Sequence, residues 1–437
     1  MATRRHTAAG TARDRAADVL LHLYKSVSQN APVTVHALLH KALFGLDEPR
    51  EAGLCSEIVY GTLRWHLRLE WVLSRFLRSP QTLPLIVRII LLSASYELLF
   101  LSRTPAHATV NWAVSAVGRT GGKRLGAVAN AVLRKMADLE LAAQAPEFYE
   151  GHFSGDLERL SVMCSVPLWI VCLWHEQYGY DETVRIVWNA GRTPRPVLRL
   201  NTRCAGWEDL RDRAHELGAR PIAYSGISFE HGAVPDCVRE WVSGGKASWQ
   251  GAGSQELLHE LGAADWDGPI WDACAGRGGK TCALLELGRD VRLASDPHSR
   301  MAGLADECGR LGLPAVVWRQ ERAQDIVPDF TPQTIVLDVP CSGLGTLSRR
   351  PDIRLFRTPE QVRSLVMTQA ELIDMAWSRL PQGGCLAYLT CTMHPEENEK
   401  QMERLAALHP EARILRQHTT SGDYGADMMF GALVQKN

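Results

Sequence analysis

Two of the 11 cysteines in this 437-residue chain sit where chemistry is done. Cys341 lies in Asp338-Val339-Pro340-Cys341-Ser342-Gly343, just after the strand-like run Thr334-Ile335-Val336-Leu337. Cys391 lies in Tyr388-Leu389-Thr390-Cys391-Thr392, at the end of a later strand-like run. A lone cysteine is most often a small buried hydrophobe. At the carboxyl end of a strand in a parallel sheet it stands on the rim where ligands bind. There a thiolate can act as a nucleophile if the local field favours it. His394 could serve as a base, but before Pro395 it reads as a loop residue.

A second constellation is Asp272-Ala273-Cys274-Ala275-Gly276-Arg277-Gly278-Gly279-Lys280-Thr281, between a strand-like run and a helical one. A glycine-rich turn of this kind lets backbone approach a ligand and aims helix N–H groups at it. It is not a P-loop, since Cys274 stands six residues before Lys280 where glycine is required. Nor is it a strict dinucleotide fingerprint, since Thr281 occupies the third glycine position. Asp296 closes the next strand-like run, and an acid there suits a ribose diol. Loop and acid together indicate an adenosine-type cofactor without a pyrophosphate; a tight turn with a surface Asp is the blander reading. Further on, Arg349-Arg350-Pro351-Asp352-Ile353-Arg354 offers three guanidinium groups for phosphate, or a solvated basic loop.

These residues need a scaffold that brings strand ends together. From Lys246 the chain alternates strand-like and helical runs, which implies a mostly parallel, doubly wound sheet. Residues 12–140 instead carry apolar residues at helical spacing, as in Ala16-Ala17-Val19-Leu20-Leu23. Turn signals such as Asn30-Ala31-Pro32, Ser79-Pro80 and Gly121-Gly122 divide them into six or seven helices. Between these parts, a helix from Pro167, a strand over 196–201 and a helix from Trp207 suggest a small α+β segment.

Composition is that of a globular protein: 46% hydrophobic and 22% charged residues exclude a disordered or fibrous chain. An odd cysteine count without C-x-x-C pairs argues against disulfides or a clustered zinc site, and fits a reducing cytoplasm. The start, Met1-Ala2-Thr3-Arg4-Arg5-His6, has no signal-peptide apolar region after it. The most apolar stretch, 83–101, contains Arg88 and Glu97 and reads as a buried helix rather than a membrane span. Net charge is −1 overall, but residues 1–150 carry +6 and the remainder −7. Between Leu98 and Ala137 there are six basic residues and no acid. Arg119, Lys123 and Arg124 at its centre make either a phosphate-facing surface or a solvated helix face.

The motifs in order, D-x-C-A-x-x-G-G-K-T, D-x-P-C-S-G-x-G with R-R-x-D-I-R, and T-C-x-x-x-x-E-E-N-E, resemble the Nop/Sun family of RNA cytosine-5 methyltransferases. The front half is similar to NusB-like RNA-binding domains, through Val59-Tyr60-Gly61-Thr62-Leu63-Arg64 and Val128-Ala129-Asn130-Ala131-Val132-Leu133-Arg134. The resemblance implies an all-α NusB-like bundle at 1–141, a small α+β connecting subdomain at 142–245 and a Rossmann-like α/β methyltransferase domain at 246–437. It implies S-adenosylmethionine as cofactor and a cytosine of 16S ribosomal RNA, in a loop or unstacked, as target. No metal, membrane or second copy of the chain is expected.

Carried onto this chain, the family's pattern implies Cys391 as nucleophile, Cys341 as the cysteine that helps release product, and Asp338 between cofactor and base. Cys274, Ala275, Gly276, Arg277, Gly278, Gly279 and Lys280 would line the methionine and ribose, with Asp296 on the ribose hydroxyls and Glu321 beside adenine. Arg349, Arg350 and Arg354 would meet RNA. The chain departs from the pattern at Arg277 for proline, Gly251 for an acid, Glu321 for aspartate, and in the tail around Met428. Other readings are a methyltransferase for another RNA, a protein or a small molecule, or a non-catalytic ribosome-assembly protein.

Overall fold

The computed structural model describes residues 11–28, 33–46, 48–139, 141–223, 225–230, 234–298 and 303–437, and the side chains of all these but residue 424. The amino-terminal hexapeptide and the turn at Asn30-Ala31-Pro32 lie outside the described residues. The chain forms two compact units, Met1–Gly191 with Pro351–Phe356, and Arg192–Arg350 with Arg357–Asn437.

In the first unit, helices run over Ala12–Ser28, Val35–Leu43, Pro49–Arg64, His66–Ser74, Leu85–Phe100, Ala106–Gly121 and Lys123–Ala137. Their apolar stripes bury Leu20, Leu23, Ile58, Leu63, Leu69 and Val72 in one core, as the 3.6-residue period requires. The apolar stretch at 83–101 is indeed a buried helix. Its two charges are tolerated because each is paired: Arg88 meets Glu70, and the buried Glu97 accepts from Arg13 Nε at 2.9 Å and Nη2 at 2.8 Å. Helices Asp156–Cys164 and Leu168–Gly191 complete the unit, the latter broken at Gly179 (φ +77°).

The second unit holds two sheets. Strands β1 (Val197–Leu200), β2 (Arg220–Ile222), β3 (Gly226–Ser228) and β4 (Ala247–Trp249) form an antiparallel sheet in the order β2-β3-β1-β4. Strands β5 (Ile270–Asp272), β6 (Val291–Ser295), β7 (Val317–Arg319), β8 (Thr334–Asp338), β9 (Cys385–Thr390), β10 (Ala412–Thr419) and β11 (Phe430–Lys436) form the other, in the order β10-β11-β9-β8-β5-β6-β7. Strands β5 to β9 are parallel, as the alternation requires; β11 and β10 add an antiparallel edge. The strand order reverses between β5 and β8, so the crevice for a ligand opens above their carboxyl ends.

The two units part after Gly191, inside the stretch expected as a connecting subdomain. The packing explains this. Leu67 N–H donates to Ser165 Oγ at 2.8 Å within the first unit. Arg199 on β1 donates to Glu286 at 2.6 and 2.9 Å within the second, fastening the small sheet to the helix that follows β5.

Candidate active site at the strand switch point

The glycine-rich loop follows β5 and runs into helix Gly279–Glu286. Gly276 and Gly278 have φ of +59° and +80°, which side chains rarely allow. A Cβ on Gly278 would strike Leu304 at 2.3 Å, whereas one on Gly276 would meet nothing within 4 Å. The loop thus packs on one side and borders open space on the other. Asp296, just past β6, accepts from Gly276 N–H at 3.1 Å and from His298 N–H at 2.9 Å. Glu321 is exposed shortly past β7, the neighbouring strand. Beneath the loop, Thr281 Oγ1 donates to the buried Asp272 at 2.6 Å, and burial pushes that carboxyl up to about 6. Burial, then the surrounding carboxylates Asp272, Asp338 and Asp296, push the Cys274 thiol up, so it stays protonated.

Above β8 and β9 the two sulfurs meet: Cys341 Sγ and Cys391 Sγ are 3.1 Å apart. Cys391 N–H also donates to Cys341 Sγ at 3.2 Å. The hydrogen bond to Cys391, with burial next, raises the Cys341 pKa, so Cys341 stays a thiol. Lys280, in the first turn of the loop's helix, donates to Asp338 Oδ2 at 2.6 Å. Burial opposes the Lys280 ammonium, but Asp338 outweighs it and holds the Lys280 pKa above its ordinary value.

Both cysteine loops rest on Glu397. Its buried carboxyl accepts from Ser342 N–H at 2.7 Å and Gln369 Nε2 at 2.9 Å, and burial raises its pKa. Ser342 Oγ and Thr392 Oγ1 are 2.7 Å apart, which joins the two loops directly. Arg357 Nε donates to Ser342 O at 2.9 Å. His394 is a loop residue, its Nδ1 accepting from Glu396 N–H at 3.3 Å.

The arginines of the R-R-x-D-I-R motif have different fates. Arg349 is largely exposed and paired with Asp427, and Arg350 is half-buried. Arg354 is a correction: it is only 6% exposed and belongs to the first unit, not to an RNA-facing surface. Its guanidinium donates to the carbonyls of Arg64, Cys164, Ser165 and Ala190, at the ends of three helices. Helix carboxyl ends carry partial negative charge, which accounts for a buried cation held by carbonyls alone. Burial, with the nearby Arg64, lowers its pKa to about 9. Lys123 and Arg124 are exposed in the first turn of helix Lys123–Ala137, and Arg119 is exposed with Asp14 at 3.5 Å.

Lys280, expected at the cofactor, also donates to Asp338. Sequence reasoning missed three contributors. Glu397 and Arg357 were not singled out, although an acid in E-E-N-E soon after Cys391 is a usable signal. Arg199 also donates to Gly279 O at 3.1 Å and Gln250 Oε1 at 2.6 Å, steadying the loop. A lone charge in the apolar run Val197-Leu198-Arg199-Leu200 was its signal.

Comparison with known proteins gives a consistent set. The profile of the family described as 16S rRNA methyltransferase RsmB/F matches residues 261–433, and that of the NusB family matches residues 11–138. A Synechocystis sp. protein named "Probable ribosomal RNA small subunit methyltransferase B" is 31% identical over 379 residues, 84% of this chain and 83% of its own length. The Salmonella typhi protein named "Ribosomal RNA small subunit methyltransferase B" is 28% identical over 418 residues, 89% and 91% of the two chains. Among solved structures, that of PH0851 superposes with a TM-score of 0.74 at 20% identity, over 97% of this chain and 98% of its own. NSun6 from Pyrococcus horikoshii with SFG gives 0.53 at 18%, over 62% and 98%. Both share this fold.

Proposed function

This chain belongs to the 16S rRNA methyltransferase RsmB/F family, and from that premise we propose that it transfers a methyl group from S-adenosylmethionine to C5 of a cytosine in 16S ribosomal RNA through a covalent cysteine adduct. The observation that carries this reading is the pair of sulfurs 3.1 Å apart, on the ends of neighbouring strands. The target is an unstacked or loop cytosine, because a thiol must approach the face of the ring. The setting is the cytoplasm and the protein acts as a monomer; among the described residues no helix is long and apolar enough to cross a membrane.

The residues present fit the cofactor: Gly276 borders open space, and Asp296 retains acceptor capacity for a ribose diol. Residues 274–280 would hold its methionine and ribose, and Glu321 its adenine edge. When bound, it supplies an electrophilic methyl sulfonium. Cytosine C5 is too weak a nucleophile to take that methyl unaided. Cys391 adds to C6 as the thiolate, and C5 gains carbanion character. Lys280 fixes one oxygen of Asp338 and leaves the other to hydrogen-bond the base edge. Cys341 keeps its proton during the addition, since its hydrogen bond to Cys391 and its burial raise its pKa. Once C5 carries the methyl, Cys341, its own proton passed to water, takes the C5 proton as the thiolate. The C6–S bond then breaks and Cys391 leaves as the thiolate.

Methyl-tritiated cofactor and transcribed 16S rRNA test the proposal: label should appear in 5-methylcytosine after nuclease digestion. Label in another base overturns the C5 assignment. RNA binding without label favours the assembly-protein reading. Calorimetry on Asp296→Ala should show cofactor affinity weakened by about 1.5–3 kcal/mol, as for a hydrogen bond to a charged group. Unchanged affinity would move the ribose elsewhere.

The front domain contributes RNA affinity in this proposal. Lys123 and Arg124 stand at a helix amino terminus, where the helix dipole disfavours cations, and a phosphate partner would offset that cost. Reversing both to Glu should weaken rRNA binding and flatten log K against log salt by roughly 0.7 per lost contact on single strands. Arg119 also contributes, but its reversal would set a carboxylate against Asp14. An unchanged slope favours a merely solvated face.

A further inference from the structure

A cavity of about 370 Å³ in the second unit is lined by neither catalytic cysteine. Three arginines from separate chain segments reach it: Arg195 before β1, Arg220 on β2, and Arg349. Pro221, Ile222 and Gly251 also line it. Its volume falls within the ~300–1,000 Å³ usual for small-ligand sites.

The lining sets these three arginines against two carboxylates, Asp423 and Asp427. Arg349 is held in place by Asp427, which is buried. Arg195 and Arg220 share the carboxylate of Glu230, at 2.6 and 3.4 Å, and that carboxylate is more than half exposed. Arg220 and Glu230 are both more than half exposed, and such pairs are worth about 0–1 kcal/mol, so a phosphate can compete for Arg220 and gain charge-assisted bonds. Guanidinium groups in one cavity with Pro221 and Ile222 match a nucleotide, whose phosphate takes the charge while its base stacks on the guanidinium planes and these apolar side chains.

The cavity is also tied to the nucleophile. Met428, next to Asp427, donates its N–H to Gly345 O at 2.8 Å, and Gly345 N–H donates to Cys391 O at 3.1 Å. A group seated here is therefore held in fixed relation to Cys391, one short backbone relay away. We propose that this cavity binds a nucleotide flanking the target cytosine, with its phosphate on Arg195 and Arg220 and its base against Pro221 and Ile222. This rests on the reading of RNA as the substrate, and it makes the small sheet a reader of the sequence around the target.

Gly251 supplies the test. Its φ of −60° and ψ of 146° suit any residue, and a Cβ there would meet only Asp427 Oδ2, at 3.5 Å. Gly251→Leu should therefore narrow the cavity without straining the backbone. Affinity for a short RNA carrying the target cytosine should fall roughly tenfold in Gly251→Leu, the scale of one lost base stack. Arg220→Glu, at an exposed position, should lose a similar factor and guards against a folding defect in the first variant. One abasic substitution beside the target should weaken binding to wild type roughly tenfold, yet cost Gly251→Leu nothing further. Wild-type affinity in both variants, with RNA methylation intact, overturns the nucleotide pocket alone. If the wild-type protein neither binds nor methylates RNA, the substrate reading falls and the pocket with it.

Discussion

Cys391→Ala is expected to lose methyl transfer by roughly four orders of magnitude or more, while affinity for S-adenosylmethionine stays within a few-fold of wild type. Addition at C6 has no substitute in this site. Cys341 is only 3.1 Å away, but its raised pKa leaves it protonated and the poorer nucleophile. The glycine loop, Asp296 and the Lys280–Asp338 pair do not depend on the Cys391 side chain, since their bonds run to one another and to β6. The backbone N–H of residue 391 can still donate to Cys341 Sγ, so the loop should keep its course. Single-turnover assays with labelled cofactor, beside calorimetry, separate the two effects. Wild-type turnover would remove Cys391 from the mechanism.

In Cys341→Ala the nucleophile remains, so addition and methylation proceed and release fails. An enzyme–RNA adduct should accumulate, joined through Cys391 to C6 of the methylated cytosine. It should survive a denaturing gel and vanish in the double variant Cys341→Ala/Cys391→Ala. A packing role for Cys341 predicts something else: stability lower by about 1 kcal/mol, as for a typical point mutation, and no adduct. The Glu397 network argues that the loop outlives the substitution, because Ser342 is held through its own N–H and hydroxyl. An adduct formed by Cys391→Ala instead would exchange the two roles.

What the sequence by itself determines is local. Helical spacing and turn residues specify the front helices, because the period of a helix is written within a few residues. The glycine loop, Asp296 and both cysteines are visible as strand-end motifs for the same reason. Strands β10 and β11 are not. Ala412–Thr419 is largely exposed and mixed in polarity, and only pairing with β11 makes it a strand. The place of Pro351–Phe356 also escapes a linear reading, since it packs with residues far earlier in the chain.

Tertiary structure alone decides which like residues share a fate. Arg349 and Arg354 stand in one motif, yet Arg349 faces the outside and Arg354 closes three helix ends up to 290 positions away. Lys280 stands in the glycine loop, and only the fold brings Asp338, 58 residues on, against its ammonium. The 3.1 Å between Cys341 and Cys391 spans 50 residues of chain and exists because β8 and β9 are adjacent in the sheet. Electrostatics and hydrogen bonding act over a few ångströms of space, so a group's protonation and partners are set by whichever segments the fold makes neighbours, whatever their separation along the chain.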